Sequence, residues 1–299
     1  MRLIAVVGPT AAGKYDLAMT LARAYDGEIV NADAMQLYRG LDIGTAKPTP
    51  AERAEVPHHL LDVLDVAESA SVAAYQRAAR AAVERVLAAG RTPVLVGGSG
   101  LYVQAVVDEL EFPGTDPALR AELTAELERV GPAALHARLA TSDPAAAAAV
   151  LPSNGRRIVR ALEVIALTGR PFTARLPDAA APRYDAVLLG VDRPTAELDE
   201  RIARRVARMF AAGLVAETRG LLPGLREGPT AARALGYQQV LAELDGDLGR
   251  AAADTVVATR RFVRRQRSWF RRDRRIVWLA ADSSEVVGRA HAAIGASVR

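Results

Sequence analysis

Two hydrophobic periods alternate through the first hundred positions. Leu3–Val7 is an unbroken apolar run closed by Gly8, the pattern of a buried strand. Beyond the turn, Leu17, Ala18, Leu21 and Ala22 recur at helical spacing and predict a helix over Asp16–Ala24. Glu28–Asn31 predicts a second strand running into Ala32-Asp33, a helix follows near Val72–Ala89, and Thr92–Val96 predicts a third strand ending at Gly97-Gly98-Ser99-Gly100. Strand and helix in alternation predict an α/β fold, a parallel sheet with flanking helices. Ligands of such sheets lie at the carboxyl ends of the strands, and all three of these glycine- or Asp-bearing turns fall there.

From Pro113 the helical period takes over. Asp116–Val130, Pro132–Leu139, Asp143–Val150 and Ser153–Leu167 each open on a Pro, Asp or Ser start signal. Strand character returns at Ala186–Val191, which predicts an inserted all-helical subdomain at 114–182 between two parts, 1–113 and 183–299, of one P-loop α/β core. Helices then cover most of Thr195–Arg272, broken at Gly220, Gly224 and Gly236. Ile276–Leu279 predicts a last strand and Ser284–Ile294 a last helix, with no internal repeat.

Composition narrows the chemistry. With 299 residues, half of them apolar, the chain can bury a substantial core. It has no cysteine, which excludes disulfides, thiolate metal sites and cysteine nucleophiles. No apolar run reaches transmembrane length, so no membrane association and a cytoplasmic location are expected. Net charge is only +4, yet the pI is near 9.7 and the basic residues are unevenly spread, which favours a polyanionic partner. Of thirty-nine basic residues only Lys14 and Lys47 are lysines. Both follow a Gly- and Thr-bearing turn, where free N–H groups and a compact ammonium suit a phosphate.

Gly8-Pro9-Thr10-Ala11-Ala12-Gly13-Lys14 fits the P-loop pattern in its proper context, after a strand and before a helix. The following residue is Tyr15 rather than the Ser or Thr that would ligand Mg²⁺. Asp33, at the end of the second strand, is either a carboxylate pointing into the same crevice or a turn and capping residue. Asp192 resembles a metal-holding carboxylate, but a helix cap before Pro194 is the better reading. His58-His59 with Asp62 reads as structural rather than as a metal cluster. In Arg260–Arg275 nine of sixteen residues are arginine against one acid, Asp273, which points to a nucleic-acid backbone. Arg156, Arg157 and Arg160 form a smaller basic cluster at a helix start.

Taken together the segments resemble the tRNA dimethylallyltransferases, or tRNA isopentenyltransferases. The matching blocks are GPTAAGK (8–14), NADAMQLYRGLDIGTAKP (31–48), VPHHLLD (56–62), VLVGGSGLY (94–102), RRIVRALEV (156–164), ARALGYQQ (232–239) and TRRFVRRQRSWFRRD (259–273). The resemblance implies transfer of a dimethylallyl group from dimethylallyl diphosphate to N6 of adenine 37, beside the anticodon of certain tRNAs. It implies Asp33 as general base, Thr10 near the leaving oxygen and Arg233 on the diphosphate. Gly8, Pro9, Ala11, Ala12, Gly13, Lys14 and Tyr15 would cradle the diphosphate, brought as a Mg²⁺ salt, with Lys47 near the same crevice. On the RNA side it implies Asp33, Ala34, Met35, Gln36 and Ser99 at the target nucleotide, and Arg120, Arg156, Arg157, Arg261, Arg264, Arg265 and Gln266 along the RNA. The insertion would clamp the anticodon stem-loop, and a monomer is the family-like default. Tyr15 and Ala34 depart from the usual Ser or Thr and the usual Ser. Two other readings stay open: a P-loop kinase of a small metabolite, with Asp33 activating a hydroxyl and Asp192 on Mg²⁺, and an RNA-binding protein with a vestigial phosphate loop.

Overall fold

Alternation along the strands sorts their side chains onto two apolar layers. In the computed structural model, which describes residues 2–172, 182–281 and 284–296, six strands form one sheet. They are β1 (Leu3–Val7), β2 (Gly27–Asn31), β3 (His58–His59), β4 (Thr92–Gly97), β5 (Ala186–Asp192) and β6 (Val277–Ala280). Every pairing is parallel and the order is β3-β2-β4-β1-β5-β6. Ile4, Val6, Ile29, Val94 and Leu189 face one layer, while Leu3, Ala5, Val7, Val30 and Leu188 face the other.

The helices in chain order are α1 (Lys14–Ala24), α2 (Pro50–Glu55), α3 (Val72–Ala88), α4 (Gly100–Val107), α5 (Pro117–Ser142), α6 (Pro144–Ala149), α7 (Gly155–Thr168), α8 (Thr195–Ala211), α9 (Leu214–Gly220), α10 (Gly224–Glu227), α11 (Tyr237–Ala242), α12 (Leu248–Phe270) and α13 (Val286–Ala296). The first layer is covered by Leu17 and Leu21 of α1, Ile202 and Val206 of α8 and Ile294 of α13. The second is covered by Tyr75 and Val83 of α3, Val103 and Val106 of α4 and Phe270 of α12. A third cluster, with Tyr38, Leu41, Leu214, Leu225 and Tyr237, packs the segment after β2 against α9–α11.

The chain divides into two compact units, 1–107 with 182–299, and 108–181. The last stretch of the expected insertion, 173–181, lies outside the described residues. The second unit has its own core, including Leu123, Leu135, Leu139, Ile158 and Leu162. The two helices expected at 116–130 and 132–139 are both present within α5, separated by the non-helical backbone of Gly131 (φ 78°, ψ 164°) just before Pro132. Glu163, fully buried on α7, is neutralised by Arg120 and Arg160 at 2.6 and 2.7 Å. No helix among the described residues is long and apolar enough to cross a membrane.

Candidate active site

The phosphate loop grows directly out of β1. A Cβ at Gly8, where φ is +146°, would stand 2.2 Å from the Val191 carbonyl oxygen, so only glycine fits between β1 and β5. Ala11 and Gly13, at φ 67° and 100°, then turn the chain into α1. Gly13 caps α1 without a side-chain acceptor, leaving the first-turn N–H groups for an anion. Two arginines brace the loop: Arg201 Nε donates to the Ala11 carbonyl at 2.8 Å and Arg193 Nε to the Ala12 carbonyl at 2.9 Å. In a trans peptide the N–H points opposite the C=O, so holding the Ala12 C=O toward Arg193 turns the Gly13 N–H away from it. The Thr10 N–H is taken by Gln266 Oε1 at 2.9 Å, whereas its hydroxyl has no hydrogen-bond partner among the described residues.

At the carboxyl ends of the strands lies a cavity of about 710 Å³, lined from the loop by Thr10, Gly13, Lys14 and Tyr15. Asn31, Asp33 and Gln36 line it from the end of β2, and Arg201, Arg204, Arg205 and Arg208 from α8. Burial pushes the Lys14 ammonium down to about 8, with Asp33 opposing the shift and Arg205 adding to it. Burial also lowers Arg205, again opposed by Asp33, but a guanidinium keeps its charge. Asp33 therefore interacts with both Lys14 and Arg205 across this space.

Asp33 is held by its neighbours. Asn31 Oδ1 accepts the Asp33 N–H at 2.9 Å and Asn31 Nδ2 donates to the Asp33 carbonyl at 3.0 Å. Asp33 Oδ1 accepts the Met35 N–H at 2.9 Å, the turn role read from local sequence, while Oδ2 keeps no hydrogen-bond partner among the described residues. The two readings of Asp33 thus coexist on its two oxygens. Ser99 Oγ accepts the Ala34 N–H at 3.3 Å, so the turn after β4 supports the same segment.

Tyr15 does not present its oxygen as an open ligand. His58 Nδ1 lies 2.6 Å from the Val56 carbonyl, which accepts only, so that nitrogen carries the proton and Nε2 accepts from Tyr15 OH at 3.1 Å. Burial lowers the His58 pKa, in keeping with this neutral tautomer. His59 Nε2 pairs with Glu28 at 2.5 Å, and among the described residues no three acids or histidines group to hold a metal. His58 and His59 thus both have protein partners, and no group among the described residues supplies a protein-built Mg²⁺ cage.

Several sequence expectations need correction. The Lys47 ammonium spends its three protons on Tyr38 O, Asp42 Oδ1 and Asp62 Oδ1 at 2.7, 2.6 and 2.6 Å, and its side chain is 1% exposed. It pins the 38–47 segment and has no donor left for phosphate. The N–H groups of that second turn are likewise used, Ile43 donating to Glu217 and Gly44 to Tyr237 Oη at 3.0 Å. Arg233 is exposed on a 3₁₀ turn, Ala231–Arg233, and does not line the cavity. Asp192 neither caps α8, whose N-cap is Pro194, nor stays free for a metal: Arg267 Nε lies 3.0 Å from both its oxygens and Arg271 at 3.4 Å. Gln266, expected on the RNA, is buried with its amide turned inward.

Motif reading passes over the α8 arginines. Arg201, Arg204, Arg205 and Arg208 recur at helical spacing beside the buried Leu198, Ile202, Val206 and Met209, a signal present in the sequence. On α12, Arg261, Arg264 and Arg265 are exposed and without an acidic partner among the described residues, whereas Arg260 faces Asp199 at 3.4 Å and Arg267 faces Asp192. In the second unit, Arg156 and Arg157 are exposed at the start of α7, while Arg120 is committed to Glu163.

Fold and cavity define an α/β protein with one parallel sheet, whose carboxyl-edge cavity opposes Asp33 to Lys14 and Arg205. The model of the IPP transferase family matches residues 36–273. The chain belongs to that family. It is 65% identical to the tRNA dimethylallyltransferase of Salinispora arenicola over 99% of this chain and 87% of that one. It is also 65% identical to the tRNA dimethylallyltransferase of Streptomyces avermitilis, over 95% and 93%. Among solved structures, the full-length tRNA isopentenylpyrophosphate transferase of Bacillus halodurans superposes with a TM-score of 0.73 at 38% identity, covering 99% and 96% of the two chains.

Proposed function

We propose that this chain is a tRNA dimethylallyltransferase, joining C1 of dimethylallyl diphosphate to N6 of adenine 37 with release of pyrophosphate. The observation that carries the reading is the cavity in which Lys14 and Arg205 face Asp33 beneath the phosphate loop. An exocyclic adenine amine is a poor nucleophile, so the site has to hold it, accept its proton and stabilise the leaving diphosphate.

Asp33 Oδ2, oriented by the Asn31 clamp, takes the N6 proton as the N6–C1 bond forms. As the C1–O bond breaks, the electron pair stays on the pyrophosphate, whose charge is met by Lys14, Arg205, the Gly13 N–H and the Thr10 hydroxyl. The diphosphate brings Mg²⁺ with it, since no protein cage among the described residues accounts for the ion. The exposed Arg261, Arg264 and Arg265, together with Arg156 and Arg157, carry the tRNA backbone. The adenine reaches the cavity flipped out of its stack, as base-modifying chemistry requires. The second unit contacts the anticodon stem-loop, and the protein works as a cytoplasmic monomer.

The test is label transfer from dimethylallyl diphosphate to unmodified tRNA, followed by digestion. N6-dimethylallyl adenosine is expected with adenine at position 37 and no product with guanine there. Absence of product with the adenine substrate would refute the reading.

A further inference from the structure

The buried stripe of α12 runs Thr259, Val263, Gln266, Phe270, and an amide stands where an apolar side chain would pack. A buried amide is retained at a cost unless its donors and acceptors are used. Here both ends are. Gln266 Oε1 accepts the Thr10 N–H at 2.9 Å, and Gln266 Nε2 donates to the Gly98 carbonyl at 2.9 Å. The two backbone groups belong to the loops that leave β1 and β4, which are adjacent strands with Val7 opposite Gly97. The approach is close: a Cβ at Gly98 would fall 2.3 Å from Gln266 Nε2.

The two loops carry the two halves of the reaction. Thr10 belongs to the diphosphate side. Gly98 precedes Ser99, whose Oγ accepts the Ala34 N–H, and Ala34 follows Asp33 on the acceptor side. We infer that Gln266 is a positioning residue for the transfer, one amide fixing the spacing between the diphosphate loop and the segment that holds the base. It acts through Thr10 and Ser99 and does not touch RNA, unlike Arg264 and Arg265 on the outer face of the same helix. A transfer whose partners must meet in line is sensitive to such spacing, an ångström of misplacement costing on the order of 10²-fold in rate.

The inference rests on the transferase reading, and the wild-type protein assayed in parallel separates the two: no wild-type product would defeat both, whereas wild-type product with an unaffected Gln266 variant would defeat this one alone. Gln266→Met keeps length and burial but removes both hydrogen bonds. At saturating tRNA and dimethylallyl diphosphate its single-turnover rate is expected to fall about 10²-fold. Its tRNA Kd and the dependence of that Kd on salt should match wild type. Gln266→Glu keeps the acceptor for Thr10 and loses the donor to Gly98, so its rate should lie between the two. A wild-type rate in folded Gln266→Met would overturn the inference, as would weakened tRNA binding with an unchanged rate at saturation. If Gln266→Met does not fold, Gln266→Glu decides on the same two readouts: a slowed rate with unchanged tRNA binding supports the role and a wild-type rate overturns it.

Discussion

A lysine ammonium enclosed beside an arginine holds its proton less firmly than one in water, and Lys14 is pushed down to about 8 in this way. In the proposed reaction its charged form is the one that meets the diphosphate. The sign follows: a cation with a depressed pKa is protonated below about 8 and loses its charge as pH rises through that value. Affinity for inorganic pyrophosphate, measured by calorimetry, should therefore weaken between about pH 7 and about pH 9, while Lys14→Arg, which cannot deprotonate there, should give a flatter profile. A flat wild-type profile would contradict the assignment. The other lysine shows where residue-level reading stops. Both lysines follow similar turns in the sequence, but Asp62 faces Lys47 only because β3 and its loop return beside the 38–47 segment. No local spacing reveals that pairing, and it reverses the role. Gln266 is the same case, for its partners lie 256 and 168 positions away.

Short apolar runs closed by a turn and helices with one apolar face are legible in the sequence, whereas a helix buried on most sides is not. The strands at 3–7, 28–31, 92–96 and 186–191 and the amphipathic α3 lie where the apolar pattern predicts them. Nothing in the pattern foretells α4, because Tyr102, Val103, Ala105, Val106 and Val107 are all buried, which erases any polar period. β3, two residues long, is too short to show alternation. α2 has a legible start that hydrophobic periodicity alone passes over: Thr49 and Glu52 make a capping box around Pro50. The arginine-rich segment reads as one basic unit, yet its helix sorts the charges. Arg267 and Arg271 face Asp192, Arg260 faces Asp199 and Arg275 faces Asp273, leaving Arg261, Arg264 and Arg265 on the helix, with Arg272 and Arg274 beyond it, without an acidic partner among the described residues. Replacing Arg264 and Arg265 together by alanine should weaken tRNA binding and lower the slope of log K against log salt by roughly two, one for each phosphate no longer neutralised. Filter binding across a salt series measures it, and an unchanged slope would remove these residues from the RNA surface.

At the scale of the whole chain, alternation foretells a parallel sheet, and the sheet foretells a site at its carboxyl edge. What it does not foretell is strand order. β4 lies between β2 and β1, and β5 lies on the far side of β1. This order brings the ends of β1, β2 and β4 together and sets α8, which follows β5, beside the phosphate loop. Arg205 thereby meets Asp33 and Lys14 in one cavity, although the inserted second unit and most of the sheet separate them along the chain. If this cavity performs the chemistry, Asp33 is its base. The deciding measurement is single-turnover dimethylallyl transfer to tRNA by Asp33→Ala at saturating substrates, with tRNA Kd determined on the same preparation. Loss of a positioned base predicts a fall of at least about 10²-fold in rate with tRNA affinity nearly unchanged. A wild-type rate would take Asp33 out of the reaction and with it the proposed mechanism.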